Sequence, residues 1–368
     1  MAVNLLLTGS FLLHARAYPL AKINQTLTVV ALGKEYSFCY PEIDVYKGEP
    51  YLKNAEEVVD GIYFDTIIRP QDAKAIIHPE NDNPFELISE ANGKCIDKED
   101  LLIKIDRSLK LKVQKIYASE IVLKPAITME MLKKSTYKRA FFTTNYIYSS
   151  EERKHNIGLC AKYIGGVMLK ENQEFSFNEV VGERTEERGF KSARIIEKGK
   201  FTDGIGGGVC QVSSTLYNAV LLGGLRVTER HAHSMAVSYV EPSFDAMVSM
   251  GYADLKFVND TGGIIFIIAF SKGDSITVSV YGERGQLTYK RVSEVIEKIQ
   301  PNGYLKTPSD VLAEGEERIV VYEKEGIVSK GLLEVYKNGK FEKTVLLSSD
   351  RYAPLQGEII YGKKHDIS

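Results

Sequence analysis

The sequence predicts an α+β fold that is divided into more than one domain. Its 368 residues exceed the roughly 100–200 residues of one compact domain. Segments with the apolar spacing of helices alternate with segments of strand character. Hydrophobic residues make up 44% and charged residues 26% of the chain, which is ordinary for a globular protein. This composition excludes a globally disordered chain, a collagen-like fibre and a polytopic membrane protein.

The charge balance argues against a nucleic-acid partner. Lys and Arg number 47 against 49 Asp and Glu, which gives a net charge of −2, so no basic excess is available to neutralise phosphates. The chain contains four cysteines, which are Cys39, Cys95, Cys160 and Cys210. They form no CxxC pair, which leaves a zinc ribbon or a thioredoxin-like site unsupported. We therefore expect neither a cofactor nor a nucleic-acid partner.

Residues 1–25 raise the question of an export signal or a membrane anchor. The stretch AVNLLLTGSFLL over residues 2–13 has the length of a signal-peptide core, and Ala15-Arg16-Ala17 has the form of a cleavage site. No Lys or Arg precedes the stretch, and it is shorter than the ~20 apolar residues that span a bilayer. We interpret residues 1–25 as a degenerate signal or anchor, or alternatively as the first buried element of the fold.

An α+β module is predicted over residues 28–128. Residues 26–47 alternate in character as strands do, and a further strand ends at the turn Asn92-Gly93. Asp97 then has the position of a helix N-cap. Apolar residues follow at helical spacing, at Leu101, Leu102, Ile105 and Leu109. Residues 116–124 return as a strand.

The middle of the chain, residues 135–282, predicts a mixed domain with a buried sheet. Ser149, with Glu152 three residues later, matches a capping box at the start of a helix. The buried stripe of that helix is predicted at Ile157, Cys160, Ala161 and Ile164. Gly165-Gly166 interrupts or ends the helix. The strings IIFIIAF and SITVSVYG, near the end of the domain, predict two strands of a buried sheet.

A domain boundary and a last, all-β module are expected after residue 282. Residues 283–303 are polar and charged and contain the turn Pro301-Asn302-Gly303, which favours a linker. Residues 304–364 alternate strands and turns, and Asn338-Gly339 is a strong hairpin signal. We therefore predict a small all-β module over residues 304–364.

The sequence DGIGGGVCQVSSTLYNAVLLGGL, from residue 203 to residue 225, carries the most informative chemistry. Three glycines and a valine precede Cys210, and apolar residues at helical spacing follow it. A helix N-terminus favours ionisation of a cysteine to the nucleophilic thiolate, and N–H groups of the turn can hold an oxyanion. The pattern predicts a covalent acyl-transfer site with Cys210 as nucleophile. The predicted oxyanion or turn residues are Gly206, Gly207, Gly208 and Val209. The alternative is a tight turn packed against a buried, inert cysteine.

His231 and His233, within Glu229-Arg230-His231-Ala232-His233-Ser234, form the only histidine cluster in the sequence. On a strand, the two rings would point to the same face. One of them could take the proton from Cys210 as general base, and Asp245 or Asp254 could orient it. Two alternatives remain open at this stage. The pair could bind zinc together with Cys210 or an Asp, or could be half-buried strand residues with satisfied hydrogen bonds.

Arginines form a third group of candidate residues. They are Arg184, Arg188 and Arg194, within GERTEERGFKSARI, and Arg230, directly before the histidines. Arginine holds carboxylates through paired hydrogen bonds, so these side chains could anchor an acidic substrate. Equally, the first three could form a solvated face with the neighbouring glutamates.

Residues 135–282 resemble the VanW family of Gram-positive cell-surface proteins. The strings that carry the resemblance are FSFNEVVGERTEERGF, DGIGGGVCQVSSTLYNA, ERHAHSMAVSY and DAMVSMGYADLKFVN. Residues 36–128 resemble the peptidoglycan-binding-type module often found before VanW domains. Residues 304–364 resemble the G-five wall-associated module that often follows them.

The resemblance implies a cell-wall protein outside the cytoplasmic membrane of a Gram-positive-type bacterium. Some VanW-domain proteins are L,D-transpeptidases, which join peptidoglycan stem peptides through a cysteine acyl-enzyme, and Cys210 would be that cysteine here. The choice between His231 and His233 as base is not settled by the resemblance. The implied partners are stem peptides and glycan. The predicted substrate-binding residues are Arg184, Arg188, Arg230, Ser213 and Asp245.

Two further function classes are compatible with the same sequence. The first is a non-catalytic peptidoglycan-binding scaffold or a glycopeptide-resistance accessory protein, in which Cys210 serves packing. The second is a zinc protein that uses His231, His233 and Cys210 as ligands. Exposure of the Cys210 sulfur and its distance from the imidazoles distinguish these classes from the enzyme.

Overall fold

The structure is a computed structural model that describes residues 24–197 and 200–363. The export signal or anchor predicted over residues 1–25 falls almost entirely outside the described residues. The fold class is α+β with more than one domain, as the sequence predicts. Along the described ranges, we find no helix that combines the length and the apolar character needed to cross a bilayer.

The described residues form short helices and many strands. The helices are α1 (Ala55–Thr66), α2 (Lys98–Leu111), α3 (Met129–Lys134), α4 (Glu151–Ile164), α5 (Phe177–Val181) and α6 (Val209–Leu222). The strands of the first half are β1 (Leu27–Ala31), β2 (Lys34–Phe38), β3 (Ile43–Tyr46), β4 (Glu49–Leu52), β5 (Lys74–Ile77), β6 (Phe85–Ile88), β7 (Gly93–Ile96), β8 (Lys115–Tyr117), β9 (Glu120–Leu123), β10 (Tyr137–Asn145), β11 (Val167–Leu169) and β12 (Glu174–Ser176). Those of the second half are β13 (Ser192–Glu197), β14 (Lys200–Ile205), β15 (Arg226–Glu229), β16 (Lys256–Val258), β17 (Ile265–Lys272), β18 (Ser275–Gly282), β19 (Leu287–Ile299), β20 (Tyr304–Glu314), β21 (Glu317–Val321), β22 (Gly326–Lys337), β23 (Lys340–Tyr352) and β24 (Gly357–Gly362).

The chain divides into two compact units. Among the described residues, the N-terminal unit comprises 24–72 and 90–126, and the core unit comprises 73–89 and 127–363. The predicted module over 28–128 is therefore wrong at one point, because the β5–β6 hairpin belongs to the core unit. The physical reason is burial: Phe85 of this hairpin packs in one apolar cluster with Phe266 of the core sheet.

The N-terminal unit combines small sheets with two helices. β1 lies between β2, which is antiparallel to it, and β8, which is parallel to it. Asp97 caps α2 by accepting a hydrogen bond from the Asp100 N–H at 3.0 Å, which confirms the predicted helix start. Leu101, Ile105 and Leu109 of α2 are buried in the core of this unit, as their helical spacing predicts.

The core unit is built on the sheet β10-β18-β17-β11, with α4 and α6 packed against it. Alternate residues of β17 serve two apolar clusters. Ile265 and Ile267 pack with buried residues of α4 and α6, whereas Phe266 and Ile268 pack with the β5–β6 hairpin. A strand covered on both faces needs an unbroken apolar sequence, which accounts for IIFIIAF.

Helix α4 has the predicted buried stripe but begins one residue later than expected. Ser150, rather than Ser149, is the N-cap, and its hydroxyl accepts from the Arg153 N–H at 3.3 Å. The stripe of Ile157, Cys160, Ala161 and Ile164 is buried. Gly165 ends the helix, as predicted.

The linker expected over residues 283–303 is wrong, because β19 occupies most of this segment. β19 pairs along β22, which in turn pairs with β23 in a three-stranded sheet. Tyr289 of β19 packs against the apolar core of the unit, so one face of this charged segment is partly covered. The remainder is all-β as predicted, and Asn338-Gly339 joins β22 to β23 with φ of 51° and 77°, the positive values of the predicted hairpin turn.

Candidate active site

The glycine turn before α6 is shaped by positive φ angles and a close backbone approach. Gly206 has a φ of 85°, and Gly208, the N-cap residue, has a φ of 106°. Residues other than glycine rarely adopt these backbone angles. A Cβ atom on Gly207 would lie 2.8 Å from the backbone of Ala193. The turn therefore requires glycine at these positions, and it delivers Cys210 as the second residue of α6.

Three N–H groups of this turn, those of Gly207, Gly208 and Cys210, have no backbone acceptor among residues 24–197 and 200–363. The Val209 N–H donates to the Gly206 carbonyl at 3.1 Å, and the Gln211 N–H donates to the Gly208 carbonyl at 3.0 Å. The N–H groups of Gly207, Gly208 and Cys210 therefore remain candidates for the predicted oxyanion role, whereas those of Gly206 and Val209 are already bonded.

Cys210 faces His233. Its side chain is half-buried, its sulfur lies 3.5 Å from the Val248 carbonyl oxygen, and it shares a hydrogen bond with the His233 ring. Burial acts to raise the pKa of Cys210, but the hydrogen bond and charge of His233, the Val248 backbone and the Arg184 cation bring that pKa below its ordinary value. The environment thus favours a thiolate.

His233 is held by the buried carboxylate of Asp245. Its Nδ1 lies 2.6 Å from Asp245 Oδ2, and its backbone N–H donates to the same oxygen at 2.7 Å. Nε2 is then the ring nitrogen that serves the Cys210 sulfur. Burial acts to lower the pKa of His233, but the bonds to Asp245 and Cys210 raise it to about 9. Cys210, His233 and Asp245 therefore form a thiol–imidazole–carboxylate series in which the direction of each pKa shift favours the charged form.

His231 is not brought to Cys210. Its Nε2 lies 3.1 Å from Glu229 Oε1, and the side chain is 42% exposed. The prediction that both histidines share one face of a strand is wrong, because β15 ends at Glu229 and the period of two does not continue. His231 instead forms an isolated bridge with Met247.

The zinc hypothesis loses its ligand set for the same reason. His231 pairs with Glu229, so it does not converge with His233 and Cys210. In the part of the chain that the structure describes, no group of three or more His, Cys, Asp and Glu side chains is arranged to hold a metal ion.

Three residues predicted to bind substrate are buried supports of the site. The Arg230 side chain is only 7% exposed, donates to Asp245 Oδ1 at 2.7 Å and pairs with Asp350 at 2.8 Å. Asp245 is 1% exposed and orients His233, the alternative role that the sequence suggested for it. Ser213 is 0% exposed and donates to the Ala246 carbonyl at 2.6 Å. Their burial and these partners give all three a supporting role, so substrate contact stays an untested prediction for them.

Arg184 and Arg188 differ in their distance from the turn. A Cβ atom on Gly206 would lie 3.0 Å from Arg184 Cβ, which places this arginine against the glycine turn. Its Nη2 donates to Asn178 Oδ1 at 2.7 Å, and its buried Nη1 has no hydrogen-bond partner among the described residues. Arg188 instead stacks over the Tyr163 ring, 4.9 Å from its centroid.

Several residues that support the site are not evident as functional residues from the sequence. Asn156 of α4 donates to the Gly207 carbonyl at 3.0 Å and so fixes the turn; its signal was a polar residue directly before the buried Ile157. Asp350 and Tyr352 of β23 contact Arg230 and Asp245. No local pattern could reveal these two, because they lie more than 100 positions along the chain from the residues they contact.

Comparisons with known proteins relate this chain to a described family. The family profile "VanW like protein" matches residues 152–281. The uncharacterized protein YoaR of Bacillus subtilis (strain 168) is 33% identical over 284 residues, which cover 76% of this chain and 91% of that relative. The vancomycin B-type resistance protein VanW of Enterococcus faecalis (strain ATCC 700802 / V583) is 29% identical over 160 residues, which cover 42% of this chain and 58% of that relative.

Two solved G5 domains are similar to part of the chain. The G5 domain of IgA1 protease matches with a TM-score of 0.15 and 21% identity, covering 23% of this chain and 100% of that domain. The crystal structure of HP0197-G5 matches with a TM-score of 0.13 and 19% identity, covering 21% of this chain and 100% of that domain.

Proposed function

The chain belongs to the VanW-like family, and we propose that it is a cell-wall cysteine acyltransferase acting as an L,D-transpeptidase on peptidoglycan stem peptides. The observation that carries this proposal is the series Cys210–His233–Asp245 at the glycine turn of α6. A partly buried thiol with a lowered pKa, an imidazole and a buried orienting carboxylate are the parts of a nucleophilic acyl-transfer site. In this proposal the protein works outside the cytoplasmic membrane, where its substrate is found.

The first half of the proposed reaction forms a thioester. The Cys210 thiolate attacks the carbonyl carbon that follows the third stem residue, and the resulting oxyanion accepts a hydrogen bond from the Cys210 N–H. When the tetrahedral intermediate collapses, the bond to the fourth residue breaks. The His233 imidazolium gives its Nε2 proton to the departing amine. The products are the acyl-enzyme and the free fourth residue.

The second half transfers the acyl group to another stem peptide. An amine of the acceptor attacks the thioester carbonyl and gives a proton to His233 Nε2. The second tetrahedral intermediate then releases the Cys210 thiolate and the new amide crosslink. The imidazolium–thiolate pair is restored, and no oxidant or metal enters the balance.

Arg184 is the proposed anchor for a stem-peptide carboxylate. Its Nη1 is unpartnered in the described structure, and the side chain lies against the turn that carries the nucleophile. Its charge also contributes to the lowered pKa of Cys210. Because Nη1 is buried, a carboxylate reaches this donor only when the side chains that cover it move, and it would then satisfy the donor through a charge-assisted hydrogen bond.

The test is crosslinking of purified stem tetrapeptides, read by mass spectrometry. We expect the wild-type chain to form crosslinked dimers with release of the fourth residue, and Cys210→Ala to lower the rate by about 10³ or more. Cys39→Ala, which changes an exposed cysteine of the N-terminal unit, is the matched control and should crosslink normally. Crosslinking by Cys210→Ala at the wild-type rate would refute the mechanism. Binding of peptidoglycan without any crosslinking by the wild type would favour the scaffold.

A further inference from the structure

The carboxylate of Asp245 is fully occupied by donors from two directions. Oδ2 accepts the two hydrogen bonds from His233. Oδ1 accepts from Arg230 Nη2 at 2.7 Å and from the Tyr352 hydroxyl at 2.6 Å. The donors to Oδ1 therefore govern how much negative charge the carboxylate presents to His233.

Asp350 balances the charge of Arg230. Both of its carboxylate oxygens accept from Arg230 Nη1 at 2.8 Å, and Ser348 donates to Oδ2 at 2.7 Å. Asp245, Arg230 and Asp350 together carry one net negative charge inside the protein. Without Asp350, the Arg230 cation would offset the charge of Asp245, and the imidazolium of His233 would lose its stabilising field.

The loop that carries Asp245 is pinned by the same sheet. Ser243 has a φ of 67° and is 0% exposed, a left-handed conformation that costs free energy for a residue other than glycine. Its N–H donates to the Tyr352 hydroxyl oxygen at 2.7 Å, and its hydroxyl shares a hydrogen bond with Ser329 of β22. Tyr352 thus bridges the backbone of the loop and the carboxylate that the loop presents.

We propose that Asp350 and Tyr352, at the C-terminal end of β23, are positioning residues that keep Asp245 charged and oriented toward His233. This inference rests on the proposed function for its catalytic meaning, but its geometry stands without it. Both residues lie beyond the segment 152–281 that the family profile matches. The C-terminal sheet then contributes directly to the site through these two residues.

The two residues should act on Cys210 with opposite signs. Asp350→Asn removes a negative charge, so the imidazolium is destabilised and the thiol ionises at higher pH. Tyr352→Phe removes a hydroxyl whose hydrogen places partial positive charge at Asp245, so the imidazolium is stabilised and the thiol ionises at lower pH. A purely structural role would impair both variants in the same direction.

The experiment measures the rate of iodoacetamide alkylation of Cys210 against pH in the full chain. The Cys39→Ala background is used, because Cys95 and Cys160 are buried and Cys210 is then the accessible thiol. The titratable groups that interact with Cys210 are His233, Arg184, Arg153, Cys160 and Tyr239. All of them stay unchanged in the variants. Glu342→Gln, on the exposed part of the same strand, is the matched acid-to-amide control.

We expect Asp350→Asn to raise the pH of half-maximal alkylation by about one unit and to slow alkylation at pH 7 about tenfold. Asp350→Glu should restore much of the loss, Tyr352→Phe should lower the midpoint, and Glu342→Gln should leave it unchanged. A parental midpoint in Asp350→Asn overturns the proposal. If near-ultraviolet circular dichroism shows that Asp350→Asn is unfolded, Tyr352→Phe provides the test. An alkylation midpoint of Tyr352→Phe at or above the parental value then overturns the proposal.

This readout needs no peptidoglycan, so it separates the two proposals. Shifted midpoints without crosslinking activity would leave the positioning roles standing and remove the transpeptidase. Crosslinking by the wild type, together with unshifted midpoints in the variants, would support the transpeptidase and overturn the positioning roles.

Discussion

At the scale of single residues, the identity of the base depends on where one strand ends. His231 and His233 are equivalent in the sequence as long as the strand continues, because a period of two puts both on one face. β15 ends at Glu229, and the two rings then meet different carboxylates. His233 reaches Asp245 inside the protein, whereas His231 reaches Glu229 at the surface. The sequence could predict the pair but not the choice, because a strand end is among the least predictable features of a fold.

Paired substitutions test this choice. His233→Gln removes the ring that exchanges protons with Cys210, so we expect the crosslinking rate to fall by about 10²–10⁴. His231→Gln removes a half-exposed ring that pairs with Glu229, so the rate should stay close to that of the wild type. Initial rates of dimer formation measure both. A large loss of crosslinking rate in His231→Gln, together with a small loss in His233→Gln, would contradict the assignment of His233 as the base.

At the scale of elements, the turn and helix around Cys210 were predictable, and the availability of their donors was not. Glycines followed by apolar residues at helical spacing identify a tight turn before a buried helix, and α6 begins at Val209 as this pattern implies. Which N–H remains open depends on the path of the turn. Gly208 in a left-handed conformation lets Val209 and Gln211 bond back to the turn. The N–H groups of Gly207, Gly208 and Cys210 are left without a backbone acceptor within the described structure.

Gly208→Ala tests the requirement for that path. A Cβ atom at φ 106° would lie 2.9 Å from Ile157 Cγ1, so the turn must shift. We expect a loss of about 1–3 kcal/mol in the free energy of unfolding and slower alkylation of Cys210. Gly273→Ala is the control, because Gly273 also has a positive φ, of 58°, but no atom within 4 Å of the added Cβ. Denaturant titration and the alkylation rate measure both variants, and equal effects at the two glycines would contradict the account.

At the scale of the whole molecule, the order of elements was easier to predict than their grouping. Charge and a Pro-Asn-Gly turn suggest a linker over residues 283–303, but β19 pairs with β22 and packs Tyr289 on the core. The pairing of strands that are distant along the chain is hard to predict from one sequence. Each strand needs apolar residues on only one face, and this pattern does not indicate which other strand it pairs with. The same limit hides Asp350 and Tyr352, whose roles arise only when β23 lies beside the loop of Asp245.

Capture of the acyl-enzyme tests the central claim most directly. The intact chain is mixed with a stem tetrapeptide in the absence of an acceptor, quenched with acid and analysed by mass spectrometry with peptide mapping. The account predicts a covalent tripeptidyl adduct on Cys210, release of the fourth residue, and no adduct in Cys210→Ala. An adduct on another residue, or crosslinked product formed by a chain whose Cys210 never carries the acyl group, would contradict it.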